Sequence, residues 1–507
     1  MSEVPLLDRV ERLCAVASAA AVGEAEAMTI EALRERLHEP LRVAIVGRAK
    51  AGKSTLLNVL VGERLAATDA GECTRVVTWY RSGTSYEVRA RLRNGEQRAV
   101  RFRRDHRLQV LLDDLEASDL DRLEIRWPAE RLARLVLVDT PGLASSDSPS
   151  AARTLHLAGA DEDRASEVDA IVYLLRHAHQ NDVDFLEAFL DPQIGEVSPA
   201  NTIAVLSRAD EIGAGRLDAL ASAQSVAARY ANDLRIRRLC SAVVPIAGLI
   251  AETGLTLRED EAASLRALAA LPSEDLDGLL LSTDHFVDPA RSSLPATRRA
   301  DLLERFGLFG LRWSIDQIRV GGVVTASDLS RALTEASGIR GLTALLDGQL
   351  VDHSRVLKAR AALATLMTIA QSFRATRGEV AQALLDGIEE IEASSGEFAQ
   401  LRAWSLIQSG TVQFDHDEQV ELERLTAGGD PASQLGLATD RPLGELLQET
   451  ATRAARWRAR LEHPLTDPQT ADACGTMVWA YEKLHARLLS RGAEMALASS
   501  EQPHHQP

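Results

Sequence analysis

Two hydrophobic patterns divide the chain, and each predicts a different class of element. Residues 1–38 repeat apolar side chains every three or four positions, which predicts a helix that ends before Pro40. From residue 41, short β-branched runs alternate with helical segments, a pattern typical of a mostly parallel sheet with crossover helices. The runs that predict its main strands are LRVAIV, ARLVLVDT, VDAIVYLLR, NTIAVLSRAD and SAVVPIAG.

The strand pattern ends near residue 250. Residues 251–300 predict a helical extension that ends in a linker with two prolines, DPARSSLPATRR, and residues 301–495 predict a helical bundle. The polar residues 496–507 predict a disordered tail. In the wide gap between the first two strands, residues 87–104 alternate on both sides of Asn94-Gly95, which predicts an antiparallel hairpin. The expected fold is a doubly wound α/β domain over residues 40–250, followed by an α-helical bundle.

Composition limits the classes of function. The 507 residues carry a formal net charge of −17, which argues against a protein that coats nucleic acid. The four cysteines are scattered without a CxxC pair, so they fit a reducing compartment and predict no zinc site. No apolar run reaches the roughly 18 residues of a bilayer-spanning helix, and the first residues lack the apolar segment of a signal peptide. We expect a cytoplasmic protein whose contact with a membrane is peripheral.

The strongest chemical signal is GRAKAGKS, residues 47–54, which follows the first predicted strand and precedes a helix. It fits the GxxxxGK[ST] loop, whose backbone N–H groups surround a phosphate. Lys53 adds a compact charge between the β- and γ-phosphates, in a chain that otherwise uses arginine almost everywhere. Ser54 offers its hydroxyl to Mg²⁺. The predicted nucleotide contacts of this loop are Gly47, Ala51, Gly52, Lys53, Ser54 and Thr55.

A second motif, DTPG, ends the strand LVLVDT. Asp139 is predicted to reach Mg²⁺ through water, and the N–H of Gly142 to bind the γ-phosphate, so that this loop senses hydrolysis. Between the two motifs, Thr74 is the predicted second hydroxyl ligand of Mg²⁺, with Thr68 as the competing candidate. The predicted metal ligands are therefore Ser54, Thr74 and Asp139.

Two further loops favour guanosine nucleotides, GTP or GDP, over ATP. The strand after DTPG ends in Ser207-Arg208-Ala209-Asp210, where GTPases have [NT]KxD. Asp210 can accept two hydrogen bonds from the guanine edge, Arg208 can cover the base with a flat group, and Ser207 replaces a residue that mainly braces the loop. The last predicted strand is followed by a loop that is predicted to contact the base through Ala247 and Gly248.

With these motifs in place, the chain resembles the dynamin-like GTPases, and in particular the isoniazid-inducible, IniC-type proteins of mycobacteria and their relatives. The resemblance is carried by GRAKAGKSTLLNVLVGERLAATDAGECTRVVTWYRSG, VDTPG and SRADEIGAGRLDA, and it extends to LLERFGLFGLR and SGIRGLTALLDGQL. It implies a GTPase head on a helical neck and trunk, with the amino-terminal helix packed against carboxy-terminal helices. It also implies a homodimer through the heads or a paired dynamin-like partner, and hydrolysis coupled to membrane remodelling.

Lys50 departs from many eukaryotic dynamins, which have a small polar residue three positions before the P-loop lysine and use a monovalent cation beside the phosphates. We hypothesise that Lys50 supplies this charge in cis; the alternative is a solvated or phosphate-tethering lysine without effect on the rate. Leu143 and Ala144 stand where a water-orienting glutamine could follow DTPG, so we expect slow basal turnover that assembly accelerates. The predicted catalytic residues are Lys53, Thr74, Gly142 and Lys50.

Two functions from different classes remain open. The first is a GTPase that remodels an anionic membrane surface, and the second is a regulatory GTPase whose helices bind a protein partner without touching lipid. The acidic charge, the aromatic content of 4% and the short helical region, about 200 residues after the linker, favour the second. An RNA-associated GTPase is disfavoured because the sequence has no basic RNA-binding module.

Overall fold

The computed structural model of the chain describes residues 5–63, 76–104, 108–112, 115–116, 118–141, 167–176, 201–292, 294–323, 325–351, 353–408, 412–427 and 430–500. Its strands are β1 (Leu41–Gly47), β2 (Thr78–Ser82), β3 (Glu87–Leu92), β4 (Gln97–Ala99), β5 (Arg101–Arg104), β6 (Leu108–Leu111), β7 (Leu120–Trp127), β8 (Leu135–Asp139), β9 (Ala170–Leu175), β10 (Thr202–Ser207) and β11 (Ala242–Ile246).

The α-helices of the described residues fall in three groups. Those before and within the sheet region are α1 (Leu6–Ala20), α2 (Glu24–His38), α3 (Lys53–Val61), α4 (Ala219–Ala231) and α5 (Leu234–Arg237). The middle group is α6 (Gly248–Leu255), α7 (Glu259–Ala269), α8 (Ser273–Leu279), α9 (Thr283–Val287), α10 (Ala296–Arg319), α11 (Ala326–Ala336) and α12 (Ile339–Leu345). The last group is α13 (Ser354–Phe373), α14 (Gly378–Ser394), α15 (Gly396–Gln408), α16 (His416–Ala427), α17 (Pro431–Gln434), α18 (Leu443–Leu461) and α19 (Pro468–Ser500).

Nine strands form one sheet in the order β11-β10-β9-β1-β8-β2-β7-β3-β4, and β5 and β6 form a second, two-stranded sheet. β1 runs parallel to β8 and β9, and β10 runs parallel to β9 and β11. The predicted runs are β1, β8, β9, β10 and β11, so the mostly parallel α/β domain is confirmed. β2 pairs antiparallel with β8 and parallel with β7. The part of the sheet beyond β8 therefore contains both parallel and antiparallel pairs.

The central strands are buried on both faces. Every residue of β9 and β10 is buried, because apolar side chains fill successive positions instead of alternating with polar ones. α3 packs on one face and α4 on the other, each within a separate apolar cluster. The carboxyl ends of the parallel strands therefore meet at one edge of the sheet, where a ligand site is expected in such folds.

The hairpin predicted over residues 87–104 forms in its first part. β3 and β4 pair antiparallel across the Asn94-Gly95 turn. The N–H of Val100 still bonds to the carbonyl of Val88, but the next residues form β5 and pair with β6. The buried side chain of Val100 marks the point where the chain changes partner.

The amino-terminal segment forms two helices where the sequence predicts one. Gly23 separates α1 from α2 with a φ of 96°, a conformation that glycine adopts without steric cost, and the N–H of Val22 bonds to the Glu26 carboxylate at 2.8 Å. α1 packs against α13 and α14, and α2 packs against α13. They share one apolar cluster, which contains Val10, Cys14, Ile30, Leu37, Leu363, Leu366 and Leu384.

The segment DPARSSLPATRR, predicted as a linker, is held in place by a buried arginine. The side chain of Arg299 donates to the main-chain carbonyls of Phe286, Asp288 and Leu294. A buried guanidinium satisfied by carbonyls fixes the conformation of the chain that provides them. The middle helices α6–α11 then surround one apolar cluster that includes Ile250, Leu265, Phe286, Phe306 and Leu329.

A buried polar cluster joins these helices to the sheet. The guanidinium of Arg36, at the end of α2, lies 2.5 Å from the carboxylate of Asp169, whose side chain is fully buried just before β9. The same carboxylate accepts the N–H of Arg42 in β1 at 2.8 Å. The Nζ of Lys358 in α13 donates to two main-chain carbonyls at the end of α2, at 2.7 and 3.0 Å. Among the described residues, no helix combines the length and apolarity needed to cross a bilayer.

Candidate nucleotide-binding site

The loop between β1 and α3 has the geometry of a phosphate-binding loop. Gly47 ends β1 with a φ of 154°, and a Cβ there would lie 2.6 Å from the carbonyl oxygen of Leu174 in β9. Gly52 precedes α3 with a φ of 97°, in the left-handed region. The first glycine thus allows the loop to leave the sheet beside β9, and the second turns it into the helix, whose first N–H groups have no acceptor within the helix.

Lys53 lies inside this loop and is buried. Its Nζ donates to the carbonyl of Gly47 at 3.1 Å and to that of Arg48 at 3.3 Å. Burial lowers the pKa of Lys53, while the nearby carboxylate of Asp139 raises it. A largely desolvated ammonium group held by two carbonyls is positioned to gain energy from an anion such as a phosphate.

Ser54 and Asp139, the predicted oxygen ligands of Mg²⁺, lie together beside Lys53. The hydroxyl of Ser54 donates to Oδ2 of Asp139 at 3.4 Å. The other carboxylate oxygen, Oδ1, is buried and has no hydrogen-bond partner among the described residues. Burial raises the pKa of Asp139 to about 6, against the opposing effects of Lys53 and Ser54. A hydroxyl and an incompletely satisfied carboxylate fit Mg²⁺, which prefers oxygen ligands.

Part of the predicted phosphate and metal site lies outside the described residues. This holds for Thr74, for its competitor Thr68, and for Gly142. Thr140, next to Asp139, is described, and its hydroxyl donates to the carbonyl of Ile45 at 2.9 Å. This bond ties the start of the DTPG loop to β1, the strand that also carries the phosphate-binding loop.

A cavity of about 220 Å³ opens next to this loop. Its lining residues come from the loop after β1 and from the ends of β9, β10 and β11, as the meeting of parallel strand ends predicts. Its lining residues are Ala51, Gly52, Thr55, Leu56, Leu174, Val205, Ser207, Arg208, Asp210, Glu211, Ile246, Gly248 and Leu249. The predicted phosphate loop and the predicted base-reading residues therefore face one cavity.

The motif SRAD, predicted to read the base, lines the cavity through Ser207, Arg208 and Asp210. Burial raises the pKa of Asp210, and the neighbouring carboxylate of Glu211 acts in the same direction. Ser207 donates its hydroxyl to the carbonyl of Leu175 at 3.1 Å, so it braces β10 against β9. Arg208 donates to Glu211 at 2.6 Å, and Arg176 forms an ion pair with the same carboxylate.

Glu211 is a lining residue that sequence reasoning missed. It follows Asp210 directly, and this acidic pair is the signal that the sequence offered. Its two arginine partners, Arg208 and Arg176, directly follow β10 and β9, and their convergence depends on the pairing of these strands.

Backbone strain is concentrated at this site. Lys50, with a φ of 62°, and Arg208, with a φ of 53°, are the two non-glycine residues with positive φ in the described part of the chain. The guanidinium of Arg208 donates to the carbonyl oxygen of Lys50 at 2.9 Å. This hydrogen bond connects the two residues with strained backbone and stabilises the conformation of Lys50. The side chain of Lys50 is exposed, and Lys50 does not line the cavity.

Ala247 differs from its expected role as a base contact. Its side chain is fully buried, it does not line the cavity, and its N–H donates to the carbonyl of Ser337 at 3.0 Å. Gly248, the second predicted residue of this loop, lines the cavity, together with Ile246 and Leu249. The difference arises because the turn after α11 packs behind the loop and uses the Ala247 donor, an interaction between residues 90 positions apart that no local pattern signals.

A parallel sheet that carries GxxxxGKS after β1, DTPG after β8 and a cavity bounded by Asp210 defines a P-loop nucleotide-binding protein of the GTPase class. Comparison with known proteins narrows this class. The dynamin family model matches residues 43–209. The isoniazid-induced protein IniC of Mycobacterium tuberculosis is 39% identical over 465 residues, which cover 91% of this chain and 93% of that protein.

Two more distant relatives match shorter regions. The dynamin-like protein 2 of Campylobacter jejuni is 28% identical over 201 residues, covering 39% of this chain and 31% of that protein. The bacterial dynamin-like protein of Nostoc punctiforme is 29% identical over 119 residues, covering 21% of this chain and 17% of that protein. The chain belongs to the dynamin family, in the group of the IniC proteins, and the resemblance noted in its sequence is confirmed. It carries a GTPase domain, and guanine nucleotides are the ligands of that domain.

The raised pKa of Asp139 predicts a pH dependence of stability in protein without nucleotide and magnesium. The folded state keeps a proton on Asp139 up to about pH 6, whereas the ordinary pKa is 3.8. This contribution to the free energy of unfolding is present below pH 4 and is lost as the pH rises through about 6, at up to roughly 1.4 kcal/mol per pH unit. The Asp139→Asn variant lacks this pH dependence. Between pH 4.5 and 7 its free energy of unfolding should therefore rise by roughly 2 kcal/mol relative to that of the unmodified protein.

Urea denaturation at several pH values in EDTA measures this difference. Asp218→Asn, on the exposed surface, is the matched control, and its stability curve should stay parallel to that of the unmodified protein. Parallel curves for Asp139→Asn would show that the carboxyl group keeps an ordinary pKa in the folded protein.

Proposed function

We propose that this protein is a mechanochemical GTPase that binds GTP with Mg²⁺, hydrolyses it to GDP and phosphate, and couples head dimerisation to remodelling of an anionic membrane surface. The observation that carries the hydrolytic part is the juxtaposition of Lys53, Ser54 and Asp139 beside a cavity bounded by Asp210. In this proposal residues 40–250 are the head, residues 301–495 are the neck and trunk, and the protein works in the cytoplasm or at the inner face of the plasma membrane.

The phosphate chain would lie along the loop from Gly47 to Gly52. Lys53, already within reach of two loop carbonyls, would exchange them for phosphate oxygens, a stronger charge-assisted contact. Ser54 and Asp139 would hold Mg²⁺, with Thr74 as the further hydroxyl ligand and Gly142 at the γ-phosphate. The metal supplies neutralisation of charge on the β- and γ-phosphates when bound.

The base would occupy the cavity between β10 and α6. When ionised, Asp210 can accept a hydrogen bond at each carboxylate oxygen, and guanine offers two adjacent donors, at N1 and at the exocyclic amine, where adenine offers none in that arrangement. Arg208 is held by Glu211 and by the Lys50 carbonyl, so its planar group is fixed at the cavity wall. Gly248 and Leu249, in the first turn of α6, have N–H groups without acceptors within the helix, which suits the guanine carbonyl.

Asp210→Asn tests this assignment of the base site. An amide replaces one of the two acceptors by a donor, so GTP affinity should fall roughly 10- to 100-fold and xanthosine triphosphate, which has a carbonyl in place of the amine, should bind better than GTP. Equilibrium titration with fluorescent nucleotides measures both affinities. Asp218→Asn is the control, with GTP affinity unchanged; retained GTP preference in Asp210→Asn would exclude Asp210 as the base-reading group.

Lys50 is proposed to supply the positive charge beside the phosphates that a monovalent cation supplies in other dynamins. Its side chain is exposed and does not line the cavity, so it can turn toward a bound triphosphate. Lys50→Ala should lower turnover roughly tenfold or more, and added potassium should restore part of the loss. The exposed Arg48→Ala in the same loop is the control. An unchanged rate in Lys50→Ala, with and without potassium, contradicts this role.

A regulatory GTPase that binds a protein partner is the second candidate, and the net charge of −17 favours it because anionic lipid repels an acidic protein. Turnover per molecule, measured over a range of protein concentrations with and without anionic liposomes, separates the two. The membrane proposal expects a rate that rises with concentration, because two heads must meet to order the attacking water, and rises again with liposomes. A rate that increases with protein concentration but does not change with liposomes supports the second candidate. A rate that does not change with protein concentration contradicts assembly-stimulated hydrolysis.

A further inference from the structure

The turn that joins α11 to α12 lies directly behind the base-binding loop. Ser337 is buried, and its carbonyl accepts the N–H of Ala247 at 3.0 Å. The Ser337 hydroxyl donates to the carbonyl of Thr334 at 2.7 Å and accepts the N–H of Ile339 at 3.3 Å, which fixes the shape of the turn. The loop after β11 therefore rests on a surface that belongs to the helical half of the chain.

Gly338 makes this contact possible. It has a φ of 82°, and a Cβ at this position would lie 2.3 Å from the carbonyl oxygen of Pro245 and 3.4 Å from Cδ1 of Ile246. The first distance is far below any real contact, and the clashing atom is backbone at the end of β11. A side chain here can be accommodated only if the turn and the end of β11 move apart.

α11 is fixed to α6 at its other end as well. The hydroxyl of Ser330 donates to the carbonyl of Gly254 at 2.6 Å, and a Cβ on Gly254 would lie 2.8 Å from the hydroxyl oxygen of Thr334. α6 is the helix whose first turn lines the cavity through Gly248 and Leu249. Because α11 is anchored at both ends of α6, it cannot shift without moving that wall of the cavity.

We infer that the Ser337-Gly338 turn positions the base-binding edge of the cavity and so sets the affinity for the guanine base without touching the nucleotide. The edge consists of Ile246, Gly248 and Leu249. Asp210 lines the same cavity from the 3-10 helix Ala209–Ala214, which follows β10, so a displacement of the edge changes the space between the edge and Asp210 that the base must fill. The phosphate-binding loop follows β1, where Gly47 packs against Leu174 of β9, so the contacts of the turn act first on the base side of the site. The inference rests on the proposed GTP site.

Gly338→Ala is the test, with two probes that separate the base from the phosphates. GTP reports on both parts of the site, and inorganic tripolyphosphate, which has no base, reports on the phosphate loop alone. Loss of one hydrogen bond to the base lowers affinity by roughly tenfold, so GTP affinity should fall by about that factor or more. Tripolyphosphate affinity, measured by the rise in melting temperature and by competition with a fluorescent nucleotide, should stay the same.

Gly322→Ala is the matched control. Gly322 has a φ of 67°, so alanine meets similar backbone strain there, but its Cβ would have no atom within 4 Å. Both affinities should be unchanged in this variant. A second variant, Ser337→Ala, is the test if Gly338→Ala does not fold. It removes the hydroxyl that shapes the turn without introducing a clash, and it should also lower the ratio of GTP affinity to tripolyphosphate affinity.

The outcomes distinguish this inference from the proposed function. If the unmodified protein takes up no GTP, the proposed function fails. If the unmodified protein binds GTP but the ratio of the two affinities is the same in Gly338→Ala, or in Ser337→Ala where the first variant does not fold, the turn does not position the base site. A fall of that ratio in the turn variants, with the ratio of Gly322→Ala unchanged, supports the positioning role.

Discussion

The buried contact between Arg36 and Asp169 is the constraint on which the arrangement of helices and sheet depends. A carboxylate without access to water must be paired and fully hydrogen bonded, and here the partners come from α2 and from the start of β1. Lys358 of α13 satisfies the carbonyls at the end of α2, and burial lowers the pKa of its ammonium group. α2 and α13, more than 300 residues apart in the chain, are thereby fixed at the amino ends of β1 and β9. This cluster lies about 20 Å from the nucleotide site at the other end of the seven-residue β1.

The nucleotide site combines a rigid frame with loops held in unfavourable conformations. The strand ends are fixed by the buried sheet, whereas Lys50 and Arg208 adopt positive φ values that cost on the order of 1 kcal/mol or more each. The hydrogen bond from Arg208 to the Lys50 carbonyl connects the phosphate loop to the base-reading loop. The same site keeps a buried carboxylate oxygen of Asp139 without a partner among the described residues. Strain and incomplete hydrogen bonding are concentrated where binding of a charged ligand can compensate for them.

The helical region reaches the sheet at both ends of β11. Ser337 bonds to the loop after this strand, and Gln349 bonds at 2.9 Å to the hydroxyl of Ser241, just before it. Between these contacts the chain runs through α12 and a π-helical segment, Leu346–Val351, whose Asp347 lies 3.4 Å from Arg131. The segment then enters α13, the helix that carries Lys358. A single stretch of chain therefore borders the base-binding loop and continues into the buried cluster at the opposite end of the sheet.

The sequence by itself determined the features that depend on consecutive residues. The P-loop, the DTPG and SRAD motifs and the parallel strands were predicted because glycine conformation, strand hydrophobicity and phosphate chemistry act over a few neighbouring positions. The roles of Thr74 and Gly142 and the division into domains stay predictions. Only the tertiary structure decided which of the many arginines are buried, that Glu211 pairs with Arg176 and Arg208, and that Ala247 donates its N–H to Ser337. These partners are brought together by strand pairing and helix packing. The sequence around a donor or a charged group does not identify the distant residue that will pair with it.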